Sequence, residues 1–374
     1  MSPSGRPIFI FAGGGSGGHL CPGIAVADAL KRRRPDAQVV FACSNRTIDR
    51  KLLKPLGYAL VPQPVRPLPR GPRGWWRFMR AWVRSSLLAR RMIADLRPSA
   101  VLGLGGFAAG PMVKCSGKKH LPTALLNPDA VPGIANRHLA AFSDVVFTQF
   151  TRAAERFPPK LRDRVRLVGC PVRRGFFEAT RERGVGHLGL DADKKTLLVF
   201  GGSLLASAVT DAAAAVAGDL EPLAEGWQVL HITADEKTDA VREAHEGGRL
   251  SVKVMGYCER MDLAMAAADL ALCRAGASTM AELAATGTPA VLMPYPHHRD
   301  RHQYLNAADA VEAGATVIVD DTDDASANAD ALRRELLPVM RDDARLGAMR
   351  QAAERLSATD AADAVAAWLL EAAS

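Results

Sequence analysis

The residues Gly13-Gly14-Gly15-Ser16-Gly17-Gly18-His19 set five glycines and a serine directly ahead of an imidazole, between the apolar run Ile8–Phe11 and a helical stretch from Ile24 to Leu30. A glycine loop between a strand and a helix can turn backbone N–H groups and the positive helix end toward a phosphate, so Ser16, Gly17 and Gly18 are candidate contacts. His19 titrates near neutrality and, exposed at such a loop, can take the proton of an attacking hydroxyl as a general base; alternatively it caps the helix that follows. A second loop, Gly103-Leu104-Gly105-Gly106-Phe107-Ala108-Ala109-Gly110-Pro111, repeats the pattern with Gly105 and Gly106, and a third, Gly201-Gly202-Ser203, follows another apolar run. Two familiar glycine-loop chemistries fit poorly. The run Val39–Ala42 ends in Cys43-Ser44-Asn45-Arg46 with no acid for a ribose, which argues against NAD and leaves NADP barely open. No Gly-Lys-Ser/Thr follows the glycines, which excludes a P-loop.

A more specific cluster lies in the second half, Cys273-Arg274-Ala275-Gly276-Ala277-Ser278-Thr279-Met280-Ala281-Glu282. It reads as a strand end running into a helix: the turn at Ala277–Thr279 suits a pyrophosphate, and Glu282 one turn further suits ribose hydroxyls. After the next strand, the loop Pro294–Arg301 leads into His302, Gln303 and Asn306, whose imidazole and amides suit sugar hydroxyls. Asp191–Asp193 and Asp321–Asp323 each carry Asp-x-Asp amid charged turn residues, and both read as turns or caps; no metal site is expected.

These residues need a scaffold that presents strand ends. Short apolar runs alternate with Ala- and Leu-rich helical stretches throughout, the pattern of βαβ units around parallel sheets, and each half opens with a strand that runs into glycines. The expected fold is α/β, two Rossmann-like domains with parallel sheets facing across a ligand crevice: residues 1–170, then 171–345, with a final helix in 346–374 that could pack back on the first domain. With 374 residues, 48% hydrophobic and 24% charged, the chain is long enough for two cores. Its six cysteines form no C-x-x-C pair, no run reaches the ~18 apolar residues of a membrane span, and no signal-peptide region opens the chain, so a cytoplasmic protein is expected. The formal charge of +8 favours anionic partners. From Arg73 to Arg91 a helical pattern sets Trp75, Met79 and Trp82 beside Arg77, Arg80 and Arg84, which suits shallow contact with an anionic bilayer; a core helix with solvated arginines is the alternative. No nucleic-acid module is present.

Together the motifs resemble the MurG family of N-acetylglucosaminyltransferases, which convert lipid I to lipid II in peptidoglycan synthesis and have the GT-B fold. The resemblance runs from Gly13 to Asn306 through Gly-Gly-Ser-Gly-Gly-His19, Leu104-Gly105-Gly106-Phe107, Ala130-Val131-Pro132-Gly133 with Asn136-Arg137, Gly169-Cys170-Pro171-Val172-Arg173, Gly201-Gly202-Ser203, Cys273 to Glu282, and His302-Gln303 with Asn306. It implies UDP-N-acetylglucosamine as donor, with uracil near Tyr257–Cys258, ribose on Glu282, diphosphate on Ser203, Arg173 and Ala277–Thr279, and sugar at His302, Gln303 and Asn306. It implies that the undecaprenyl-linked acceptor faces the glycine loops of the first domain. It also implies inverting transfer to the MurNAc 4-hydroxyl without a cofactor, and a peripheral place on the cytoplasmic face of the inner membrane. Asp129 is a second candidate base, standing where the family has Asn. The segment Leu126-Asn127-Pro128-Asp129 and the loop Gly201–Ala206 depart from the family pattern, which keeps open another acceptor or a catalytically silent UDP-sugar-binding relative.

Overall fold

The computed structural model describes residues 6–69, 71–202 and 207–374; Ser203 lies outside them. The chain divides into two compact units, Met1–Arg173 with Asp360–Ser374, and Arg174–Thr359. The first unit holds β1 (Ile8–Ala12), β2 (Gln38–Cys43), β3 (Ala59–Pro62), β4 (Ala100–Gly103), β5 (Thr123–Asn127), β6 (Val145–Thr148) and β7 (Val165–Leu167), in the order β3-β2-β1-β4-β5-β6-β7. The second holds β8 (Lys195–Phe200), β9 (Trp227–Ile232), β10 (Ser251–Met255), β11 (Leu270–Cys273), β12 (Ala290–Leu292) and β13 (Thr316–Ile318), in the order β10-β9-β8-β11-β12-β13. Every pairing is parallel.

Parallel strands are covered by helices on both faces, so an inner strand such as β1 is apolar throughout: Phe9, Ile10 and Phe11 are all fully buried. β3 is the strand that the apolar pattern does not announce. It sits at the sheet edge, partly exposed, and ends at Pro62, a residue tolerated there because an edge strand can lack a donor.

The strand orders place the glycine loops. β1 lies between β2 and β4, and β8 between β9 and β11, so the chain leaves adjacent strand ends in opposite directions. Such switch points open a crevice at the carboxyl ends of the strands. The loops after β1 and β4 meet at one of them, and β8 and β11 end side by side at the other.

The division falls at Arg173, and the crossing back comes at Asp360, later than residue 346, because the helix Asp343–Arg355 buries Leu346 and Met349 in the second core. The last helix, Ala361–Ala372, belongs to the first unit: Val365, Ala366 and Leu369 are fully buried in the core that contains Leu20 and Ile24. Trp368 meets the Phe147 ring edge-on at 6.1 Å, and Asp363 pairs with Arg32 and Arg33.

Candidate active site

At the first switch point His19 is the third residue of the helix Gly17–Arg33, half-buried rather than exposed on a loop. Ser16 precedes the helix in extended conformation, and its Oγ lies 2.9 Å from His19 Nδ1. If Nδ1 carries the proton and donates it to Ser16, the lone pair is left on Nε2, where a base needs it. Burial lowers the imidazole pKa below its ordinary value, and the Asp129 carboxylate opposes part of that shift. The ring therefore stays neutral at neutral pH.

The second loop forms a wall against this ring. Gly105 (φ 93°) and Gly106 (φ 70°) adopt left-handed conformations, and a Cβ on Gly105 would come within 3.0 Å of His19 Cδ2. Only glycine satisfies both the backbone and the contact. Asn136 fixes the wall: its Oδ1 accepts from the Gly106 N–H at 3.2 Å while its Nδ2 donates to the Leu126 carbonyl at 3.1 Å and to Asn127 Oδ1 at 3.0 Å. Asn127 in turn donates to the Asp129 carbonyl at 2.8 Å, which holds the segment that carries Asp129.

Asp49 was not singled out from the sequence. It is fully buried in the helix Thr47–Leu53, where Oδ1 accepts from the Gly15 N–H at 2.8 Å and Oδ2 from the Ser44 hydroxyl at 2.5 Å. Arg46 donates to the Gly15 carbonyl at 2.8 Å. The acid sought at the tip of β2 thus exists a few residues later, but it is turned onto the glycine loop instead of toward a ribose. No local spacing reveals this, because the contact joins residues 34 apart.

In the second unit the helix Ala277–Thr286 follows β11. Ala277, Met280 and Leu283 are its buried face. Ser278, Thr279, Ala281 and Glu282 are half-buried on the other faces, and the first turn presents the positive end of the helix dipole. Cys258 is also buried, and burial raises its thiol pKa, so a contact at Tyr257–Cys258 would fall to backbone or to the exposed Tyr257. Asn306 is buried with Nδ2 3.3 Å from the Ala275 carbonyl, and Gln303 Oε1 accepts from the Tyr295 N–H at 2.8 Å. Both amides brace the loops around the site. His302 Nδ1 lies 2.8 Å from Asp300 Oδ1.

Arg274 anchors this end of the sheet. Its guanidinium donates to the Met293 carbonyl at 2.7 Å and to Asp321 Oδ2 at 2.7 Å, joining the ends of β11, β12 and β13. Burial tends to raise the Asp321 pKa, but hydrogen bonds from Arg274, Asp323 and Asn328 outweigh it and hold the carboxyl below its ordinary value. Asp191 Oδ1 likewise accepts from the Asp193 N–H at 3.0 Å, so both Asp-x-Asp segments fold as turns.

The helix Trp75–Leu96 turns Ala81, Ser85, Ala89, Met92 and Ile93 inward. Trp75, Trp76, Met79, Val83 and Leu87 are exposed, Trp76 at 75%, flanked by exposed Arg77, Arg80 and Arg84. Trp82 departs from expectation: it is half-buried against Gly110, beneath Lys114. Among the described residues no helix is long and apolar enough to cross a membrane.

Residues 9–148 match the glycosyltransferase family 28 N-terminal domain, and residues 196–365 match the glycosyltransferase family 28 C-terminal domain. A protein of Leifsonia xyli subsp. xyli named UDP-N-acetylglucosamine--N-acetylmuramyl-(pentapeptide) pyrophosphoryl-undecaprenol N-acetylglucosamine transferase is 37% identical over 366 residues, covering 96% of this chain and 97% of that protein. A Halothermothrix orenii protein of the same name is 32% identical, covering 93% of this chain and 94% of its own length. The crystal structure of Acinetobacter baumannii MurG has a TM-score of 0.73 to this chain at 23% identity, covering 98% and 99% of the two chains. Two Rossmann-like units with glycine loops at their switch points are the GT-B architecture of nucleotide-sugar glycosyltransferases. The chain belongs to glycosyltransferase family 28, and within it to the MurG family of N-acetylglucosaminyltransferases.

Proposed function

We propose that this chain transfers N-acetylglucosamine from UDP-N-acetylglucosamine to the MurNAc 4-hydroxyl of lipid I, with inversion, forming lipid II. The observation that carries the proposal is the match to named transferases of this activity across almost the whole chain. The geometry suits the chemistry. In the first unit His19 Nε2 takes the proton of the acceptor hydroxyl, while Ser16, Gly17, Gly18, Gly105 and Gly106 bind the acceptor beside it. Asp129 tunes the imidazole instead of replacing it. In the second unit Glu282 accepts from the ribose, the backbone at Cys258 meets the uracil, and His302, Gln303 and Asn306 meet the sugar. The helix start at Ala277–Thr279, with Ser203 and Arg173, takes the charge of the departing diphosphate, so the leaving group needs no metal.

The exposed Trp75, Trp76, Met79, Val83 and Leu87, rimmed by arginines, form the surface that rests on an anionic bilayer. On this reading the enzyme works at the cytoplasmic face of the inner membrane, where a lipid-linked acceptor would meet it. Nucleic acid has no part in this reading.

UDP release is measured with and without a soluble short-chain lipid I analogue, in the presence of a chelator. Acceptor-dependent release supports the proposal. Donor binding without release points to another acceptor or a silent relative, and absence of donor binding overturns the reading.

A further inference from the structure

The loop after β12 brings together three groups of a kind that bind metals. His298, Asp300 and His302 offer ligand atoms that all lie within 4.8 Å of one another. The two imidazole rings lie with centroids 4.2 Å apart and planes tilted by 47°, and the Asp300 carboxylate is 2.8 Å from His302 Nδ1. We propose that His298, Asp300 and His302 form a divalent transition-metal site, of the zinc class, and that filling it inhibits the enzyme.

Two neutral imidazoles and one carboxylate are the donor set that zinc prefers, and the three leave at least one position open for water. A tetrahedral ion with bonds of ~2.1 Å needs ligand atoms roughly 3.4 Å apart, so the exposed His298 and Asp300 have only a small movement to make toward the half-buried His302, which opens the helix His302–Glu312. The surrounding groups are largely engaged elsewhere: His297 pairs with Asp323 at 3.0 Å, and the Arg301 guanidinium stacks on the Tyr304 ring at 4.1 Å, which draws its charge to one side. Arg299 is the other adjacent cation, exposed to solvent that screens it.

The inhibition rests on the reading of His302 as a contact of the donor sugar. Zinc takes one ring nitrogen of His302 out of hydrogen bonding and fixes the orientation of the ring, so metal and donor compete for the pose of one side chain. The metal site itself does not depend on that reading.

The test uses untagged, chelator-washed full chain. Zinc is titrated against a chromophoric chelator for the wild type and His298→Ala, a surface substitution outside the proposed donor contacts, with Asp300→Asn as a second variant. The expected result is one zinc per wild-type chain, with affinity more than ~10-fold weaker in each variant. Zinc then suppresses wild-type UDP release, chelator restores it, and His298→Ala keeps its basal rate and ignores zinc. Equal zinc affinity in wild type and both variants overturns the site. Site-specific zinc binding with an unchanged rate overturns the inhibition. No UDP release from any zinc-free protein defeats the transferase reading, and the titration still decides the site.

Discussion

At the scale of single residues, His19 combines a helix start, a serine partner and a wall of glycine. A general base contributes ~10²- to 10⁴-fold to rate, so His19→Ala is expected to lower kcat by that range while leaving donor binding to the second unit unchanged. Steady-state kinetics beside donor titration separates the two effects. Because burial lowers the His19 pKa, the acid limb of the pH–rate profile is expected below the ~6.5 of a free imidazole. Asp129 pulls that pKa up, so Asp129→Asn should move the limb further toward acid; a limb that moves the other way contradicts the assignment. The same depression has a stability consequence. As pH falls through the unfolded value, the unfolded chain takes up the proton first, and the contribution of neutral His19 is lost.

At the scale of elements, strand ends are tied together before any ligand arrives. Arg274 and Asp321 form a buried pair, with side chains 9% and 2% exposed, that spans the ends of β11 and β13. Asp321→Asn leaves the guanidinium buried without its counter-charge and is expected to cost about 3–5 kcal/mol, read from denaturant unfolding of the second unit. The helix Trp75–Leu96 works at its surface instead. Each arginine near an anionic surface contributes about 1 kcal/mol, so Arg80→Ala should weaken partition onto anionic vesicles about fivefold and leave neutral vesicles unaffected. Its inward face also shows why Trp82 was misplaced by periodicity: a tryptophan at the border of two stripes is drawn to whichever neighbour leaves room, and Gly110 leaves room.

At the scale of the whole molecule, the last helix closes the first unit from the far end of the chain. Leu369 is fully buried in the same core as Leu20 and Ile24, so Leu369→Ala is expected to destabilise that unit by ~2–5 kcal/mol. Calorimetry should show the loss in one transition and not in the other. Most of the parallel strands were legible in advance because strands buried on both faces read as apolar runs, whereas β3 is a short edge strand that ends in Pro62 and runs into a proline-rich segment. The glycine loops were legible because their local backbone needs glycine whatever surrounds it. The sequence by itself thus determined the two-sheet architecture and the family, and it nominated the chain positions proposed for the site. Tertiary structure alone decided that Asp49 and Asn136 hold the loops, that Met280 faces inward while Glu282 does not, and that His298, Asp300 and His302 converge. The reason is physical: local runs and turns are specified by neighbouring residues, whereas a partner 30 residues away in the chain is specified only by the packing that brings it near.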